Sequence, residues 1–479
     1  MAQKITRIAQ LKTTKDFLEH AERIKAELPF KETLASSGTS SLGASIKTAT
    51  GFNIGNRFCI LPMEGWDGTK DGLPTDHTRR RWHNFAISGA KLLWGCEAVA
   101  VRPDGRANPH QLIINSQNLP AFKELYKNLR NDHREKFGDD SDLVIGLQLT
   151  HSGRFSVPNE DRTRQPWTLY DHSILNDKFN LSKNHLPMTD DEIENLIQDF
   201  IKAAQLAKEA GFQFVDIKHC HGYLGHEFLS AKTRKGKYGG SLQNRLRFLR
   251  SIVEGIKETS NIPVGVRLSA FDFIPFEKDK ENIGIPKTVE GTYEEGFGVN
   301  GDGTYIDLTE VFELLEEFEK MGIEMVCITA GSPYYTPHIT RPAIFPPSDG
   351  YLPPEDPLVG VARQIKVTAE LKKKFPNMVI IGSAYSYLQE WLPNVAEAVI
   401  DNGMADFIGL GRMVLSYPNM PEDILQGKTL VRGKICRTFS DCTTAPRNAM
   451  ISGCYPLDAY YKKMPEAQTL KEIKKEVRL

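Results

Sequence analysis

"DDEIENLIQDFIKAAQLAKEAGFQFVDIKHCHGYLGHEFLSA", residues 190–231, carries the chain through a helix, a strand and the loop beyond it. Residues 190–211 space apolar side chains for a helix and end on Gly211, a residue suited to a helix C-cap. "FQFVDIKH" (212–219) is a short, continuous apolar run, the pattern of a strand buried on both faces. His219, His221, Tyr223 and His226 then crowd into the loop.

The passage recurs. Strand-like runs stand at 57–63, 91–101, 142–151, 212–219, 262–270, 323–331, 377–384 and 405–412. Amphipathic stretches at 241–258, 307–322 and 358–375 fall among them. Such a βα series predicts an α/β protein with a closed (β/α)8 TIM barrel; a doubly wound open sheet is the alternative. The barrel is expected over 46–430. Residues 1–45 read as an N-terminal helical arm and linker: a helix over 14–28 with Thr14 as N-cap, then the small-polar "ASSGTSSLGAS" (35–45). Residues 431–479 form a C-terminal extension holding Cys436, Cys442 and Cys454.

Composition narrows the function. A formal charge of −1 provides no basic field for nucleic acid. No apolar run is long enough to span a membrane, and the N-terminus lacks the apolar core of a signal peptide. We read the chain as soluble and cytoplasmic, acting on a small molecule. Seven cysteines do not suggest a disulfide framework. The helix at 14–28 is a candidate packing or homo-oligomer element.

The histidine cluster lies past the fourth strand, at the barrel end where active sites form. His219 and His221 make an HxH pair, as in metal-dependent barrel hydrolases. The other strand ends add only His151 and His338, too few for a ligand set. Tyr223 suits proton donation, and His221 suits hydrogen bonding to a carbonyl oxygen. Such donors would activate an electron-poor alkene for hydride addition. Protein side chains have no hydride to give, so a cofactor is required. "IIGSA" and "GLGR" end strands seven and eight, where barrels bind phosphate. Gly382, Ser383, Gly409, Gly411 and Arg412 read as that cradle; glycines serving only tight turns are the bland alternative. The long segments 272–306 and 332–357 follow strands five and six and are expected to wall the site.

These residues resemble the old yellow enzyme family of FMN-dependent oxidoreductases, on the bacterial branch that includes dienoyl-CoA reductases and amine dehydrogenases. The resemblance runs from about residue 46 to 430. "HGYLGHEFLS" (221–230) with "YGGSLQNRLRF" (238–248) is its most specific part, and "GLQLTHSGR" (146–154) matches "QLxHxGR". It implies FMN against Pro62, Met63 and Ala98, with Gln148 on the ring and Arg267 near N1 and O2. It makes Tyr223 the proton donor and His221 a binder of the substrate oxygen. The family's other substrate donor falls on Lys218, with His219 one residue late. The two face opposite sides of a strand. Either Lys218 is the donor, or a bulge re-aims His219.

In the dienoyl-CoA reductase branch, four cysteines after strand eight hold a 4Fe-4S cluster. Here Phe439 stands near the place of the second, so Cys436, Cys442 and Cys454 read as a cluster site with one ligand missing, as a remnant, or as buried thiols. No GxGxxG follows a strand, so the reductant is expected to be diffusible NAD(P)H or a separate electron donor protein. The resulting reading is NAD(P)H-driven reduction of an activated C=C bond. Flavin-dependent amine or N-methyl oxidation, with Tyr334, Tyr335 and Phe345 in the pocket, is the second reading. A metal-dependent barrel hydrolase using His219 and His221, and a flavin-binding protein without catalysis, are the others.

Overall fold

The computed structural model describes residues 5–476. The barrel strands are β1 (Phe58–Ile60), β2 (Leu92–Leu93), β3 (Ala98–Ala100), β4 (Val144–Thr150), β5 (Phe214–Ile217), β6 (Val264–Ser269), β7 (Met325–Thr329), β8 (Val379–Gly382) and β9 (Phe407–Leu410). All their pairings are parallel, and β1 pairs with both β2 and β9, which closes the sheet. β2 and β3 both lie along β4 and together fill one barrel position. Between them Cys96 takes a left-handed backbone, with φ +49. Gly95 there passes so close to β4 that a Cβ would sit 2.8 Å from the Gln148 nitrogen. A single second strand was the expectation from sequence; this crossing splits it.

The strands are buried on both faces, as their unbroken apolar runs require. Cys59, Trp94, Phe214, Met325, Cys327 and Phe407 fill the lumen. Val215, Ile217, Val266 and Leu268 face the surrounding helices. The helix over Asp190–Ala210 starts on a capping box, with Thr189 Oγ1 accepting from the Glu192 N–H, and ends on Gly211 at φ +110.

The N-terminal helix is shorter than expected. It spans Thr14–Arg23 and is capped by Thr13, whose hydroxyl accepts from the Asp16 N–H; Lys25, at φ +57, ends it. Phe17 packs on Trp391 with ring centroids 5.4 Å apart, fastening the arm to the barrel. The C-terminal segment gathers Ala445, Met450, Tyr455, Tyr461 and Leu470 into a small core of its own. Asp458 ties it to the barrel by accepting from Arg80 at 2.8 and 3.1 Å. Among the described residues, no helix is long and apolar enough to cross a membrane.

Candidate active site

A cavity of about 210 Å³ opens past the C-terminal ends of the strands. Lys218, His221 and Tyr223 line it together with Pro62, Met63, Ala98, Gln148, Arg267, Ser383, Gly409, Gly411 and Arg412. Two sequence candidates stand outside. Gly382 lies behind the wall, where a Cβ would be 2.6 Å from the Tyr385 hydroxyl. His219 faces away: its Nδ1–H donates to the Ile217 carbonyl at 2.9 Å, and its ring lies 6.3 Å from that of Phe248. The strand alternation of β5 decides this. Asp216 points into the barrel, where it accepts from Trp94 Nε1 at 2.7 Å, and Lys218 follows on the same side. His219 is therefore not the substrate-facing donor, and no bulge re-aims it. Paired with Leu268, it continues the sheet.

His221 sits at φ +67, a backbone conformation rare for a β-containing side chain. Its own N–H donates to Ser269 Oγ at 3.0 Å, which holds the kink. Burial, with Arg267 and Lys218 nearby, pushes its imidazole well below the ordinary histidine range, so the ring is neutral. Lys218 Nζ lies 3.8 Å from the centroid of the Tyr223 ring, and burial lowers its pKa. The Tyr223 hydroxyl donates to Glu64 Oε2 at 2.6 Å and lies 2.8 Å from the Tyr334 hydroxyl. Burial and the Glu64 charge push the phenol well above its usual range, so it keeps its proton.

Polar groups face the rest of the cavity without partners. Arg267 Nε, Thr340 Oγ1, Arg341 Nε and Ser383 Oγ are buried and have no hydrogen-bond partner among the described residues. Unpaired buried donors of this kind call for a polar ligand. Arg341 and Arg412 bring two guanidinium groups to the same end, and burial followed by the Arg412 charge pushes Arg341 down. An anion between them removes that conflict. Gln148 donates its Nε2–H to Asp216, leaving its carbonyl oxygen for a ring N–H. Burial pushes Asp216 up to about 6. This donor set, an anion cradle at one end and ring partners at the other, fits FMN.

The cysteines give a different answer. Cys436, Cys442 and Cys454 share a cavity of only about 20 Å³ with Phe439 and Arg412. Among the described residues, no three His, Cys, Asp or Glu side chains assemble as ligands for a metal ion, either here or at the His219/His221 pair. The residues do not fit an iron–sulfur cluster.

Several cavity residues carried no sequence signal. Glu64, Trp66, Arg341, Thr443, Pro446 and Arg447 all line the wall, and the last three come from the C-terminal extension. Of the proposed aromatic wall, Tyr334 lines the cavity; Tyr335 donates to Asp272, and Phe345 packs on Phe439 at 5.6 Å. Segment 332–357 supplies wall residues directly. Segment 272–306 stands behind it, with the Phe276 N–H donating to the Tyr335 carbonyl at 3.0 Å.

A closed parallel barrel with a flavin-shaped donor set at its C-terminal mouth defines an FMN-dependent oxidoreductase. The profile of the NADH:flavin oxidoreductase / NADH oxidase family matches residues 45–314, and the chain belongs to that family. It is similar to the NADPH dehydrogenase of Bacillus subtilis (strain 168): 27% identical over 375 residues, covering 78% of this chain and 90% of the relative. An old yellow enzyme homologue from Zymomonas mobilis shares the fold, with a TM-score of 0.56, 21% identity, and coverage of 82% of this chain and 94% of that one. A 2-naphthoyl-CoA reductase aligns with a TM-score of 0.66 and 20% identity over 88% of this chain, but the chain spans only 57% of that protein.

Proposed function

We propose that the protein uses NADPH or NADH to reduce an activated C=C bond in a small organic substrate. The carrying observation is the Tyr223 hydroxyl, protonated and held at 2.6 and 2.8 Å by two partners on a wall it shares with Lys218 and His221. The name of the B. subtilis relative supports NADPH as the reductant. We take the setting to be cytoplasmic, in line with the composition.

Bound FMN would supply the hydride chemistry that links the nicotinamide to the substrate. Ser383, Gly409, Gly411, Arg341 and Arg412 would hold its phosphate. Gln148 and Arg267 would hold its ring, and Arg267 would also stabilise negative charge there. Lys218 and the neutral His221 bind the substrate's electron-withdrawing oxygen and draw charge away from the double bond. Tyr223 delivers the proton to the α-carbon.

The test is Tyr223→Phe in a rapid-mixing apparatus. Flavin reduction by NADPH should continue, while reoxidation by an enone slows by about 100-fold or more, the usual range for losing a general acid. Enone reoxidation at the wild-type rate would remove Tyr223 from the mechanism.

A further inference from the structure

We propose that Glu64 is the proton reservoir for Tyr223, so that the tyrosine is reprotonated from within the site. This rests on the reading of Tyr223 as proton donor.

Glu64 follows Pro62 and Met63 directly, at the end of β1. It lines the reaction cavity and also a second cavity of about 20 Å³ bounded by Arg80, Asn84 and Ser452. That volume is enough for about one water molecule. Arg80, on its wall, has a side chain 29% exposed. Glu64 is thus a carboxyl with one face on the reacting chamber and one on the second cavity, and its Oε2 is 2.6 Å from the proton donor.

The proton balance follows the hydrogen bonds. With Glu64 ionised, the Tyr223 O–H donates to it and is turned from the substrate. With Glu64 protonated, the bond reverses: the Glu64 O–H donates to the Tyr223 oxygen, and the Tyr223 O–H is released towards the cavity. Tyr223 then loses its proton as a C–H bond forms on the substrate. The Glu64 O–H breaks, and the Tyr223 O–H forms again. Water in the second cavity returns a proton to Glu64. The groups facing this pair are Tyr334, whose hydroxyl is 2.8 Å from Tyr223, and Lys218, 3.8 Å from the Tyr223 ring centroid. Arg447 stands 4.1 Å from the Tyr334 ring centroid, and Asn108 Nδ2 is 3.4 Å from Glu64 Oε1. Both cations favour the phenolate formed in passing.

The experiment compares the wild-type holoenzyme with Glu64→Gln, Glu64→Asp and Tyr223→Phe. Each is reduced anaerobically with NADPH and mixed with 2-cyclohexen-1-one or with dioxygen. We expect Glu64→Gln to slow enone reoxidation by roughly 10- to 100-fold with an enlarged solvent isotope effect. Glu64→Asp should recover part of the rate. Reoxidation by dioxygen, which needs no proton from Tyr223, is the reference in the same sample. If Glu64→Gln keeps the wild-type enone rate and isotope effect while Tyr223→Phe is slow, the relay is overturned and the tyrosine reading stands. If Tyr223→Phe is also unimpaired, both fall. A Glu64→Gln loss that is equal for enone and dioxygen marks a general structural defect and refutes the relay.

Discussion

Arg412→Ala should weaken FMN binding through the phosphate alone. The side chain is buried, and its Nη2 donates to the Pro342 carbonyl at 3.0 Å, leaving its other N–H groups to the cavity. A charge-assisted hydrogen bond contributes about 1.5–3 kcal/mol. Arg341 beside it keeps part of the attraction, so a loss of about 2 kcal/mol is expected, close to a 30-fold rise in Kd. Riboflavin lacks the phosphate and gives the control. Without a phosphate, removing Arg412 also relieves its repulsion with Arg341, so riboflavin affinity should change by less than about twofold. Flavin fluorescence titrations of both proteins with both ligands close the thermodynamic cycle. Equal losses for FMN and riboflavin would refute the cradle and assign Arg412 a structural role.

Three further results are expected. Arg81→Met leaves Asp67 and Glu97 buried without their cation, which should cost about 3–5 kcal/mol in urea unfolding. Burial pushes Glu97 up to about 7, so that loss should shrink in mildly acidic buffer, where Glu97 takes up a proton; an undiminished loss there would deny the ionic cause. Asp272 is pushed up to about 7 by burial, from 3.8 in the free chain. As pH rises between these values the unfolded chain ionises first, so stability falls through that window and levels off above it. The melting temperature of Asp272→Asn should therefore gain on the wild type between about pH 4 and about pH 7, and a constant difference would contradict the burial argument. Gly409→Ala would place a Cβ 2.3 Å from the Gly382 carbonyl, which is backbone and cannot swing away; thermal unfolding should register a loss of about 1–3 kcal/mol or more.

The barrel was legible because parallel strands covered on both sides need unbroken apolar runs, and the chain repeats those runs between helices. Of the proposed cradle, Ser383, Gly409, Gly411 and Arg412 line the cavity, whereas Gly382 packs behind it against Tyr385, because backbone neighbours of a lining residue need not face the same side. Strand alternation made Lys218 and His219 alternatives, since only one of two adjacent residues can face the lumen, and the unbroken register of β5 puts Lys218 on the cavity. Other features had no local signature. Thr13 and Thr14 are equally good caps by type, and only the hydroxyl bond to the Asp16 N–H distinguishes them. The break at Cys96 depends on how closely Gly95 must pass β4. Glu64, Tyr223, Tyr334 and Arg447 meet from four distant segments, and no spacing in the sequence encodes that meeting.

That meeting bears on the choice between an alkene and an amine. Among the described residues, Lys218, Arg267, Arg341, Arg412 and Arg447 line the cavity, against the single carboxylate of Glu64. On the proposed assignment, Arg341 and Arg412 face the phosphate and Arg267 the ring. Lys218 and Arg447 then remain near the substrate. Glu64, the carboxylate that could pair with an ammonium ion there, already accepts from Tyr223 at 2.6 Å. An amine would have to break that bond and sit beside two cations, whereas a carbonyl oxygen meets the Lys218 ammonium and the His221 ring, whose Nε2 otherwise has only the Thr329 hydroxyl at 3.4 Å. The charge of the wall therefore favours a substrate that accepts hydrogen bonds over one that carries an ammonium ion.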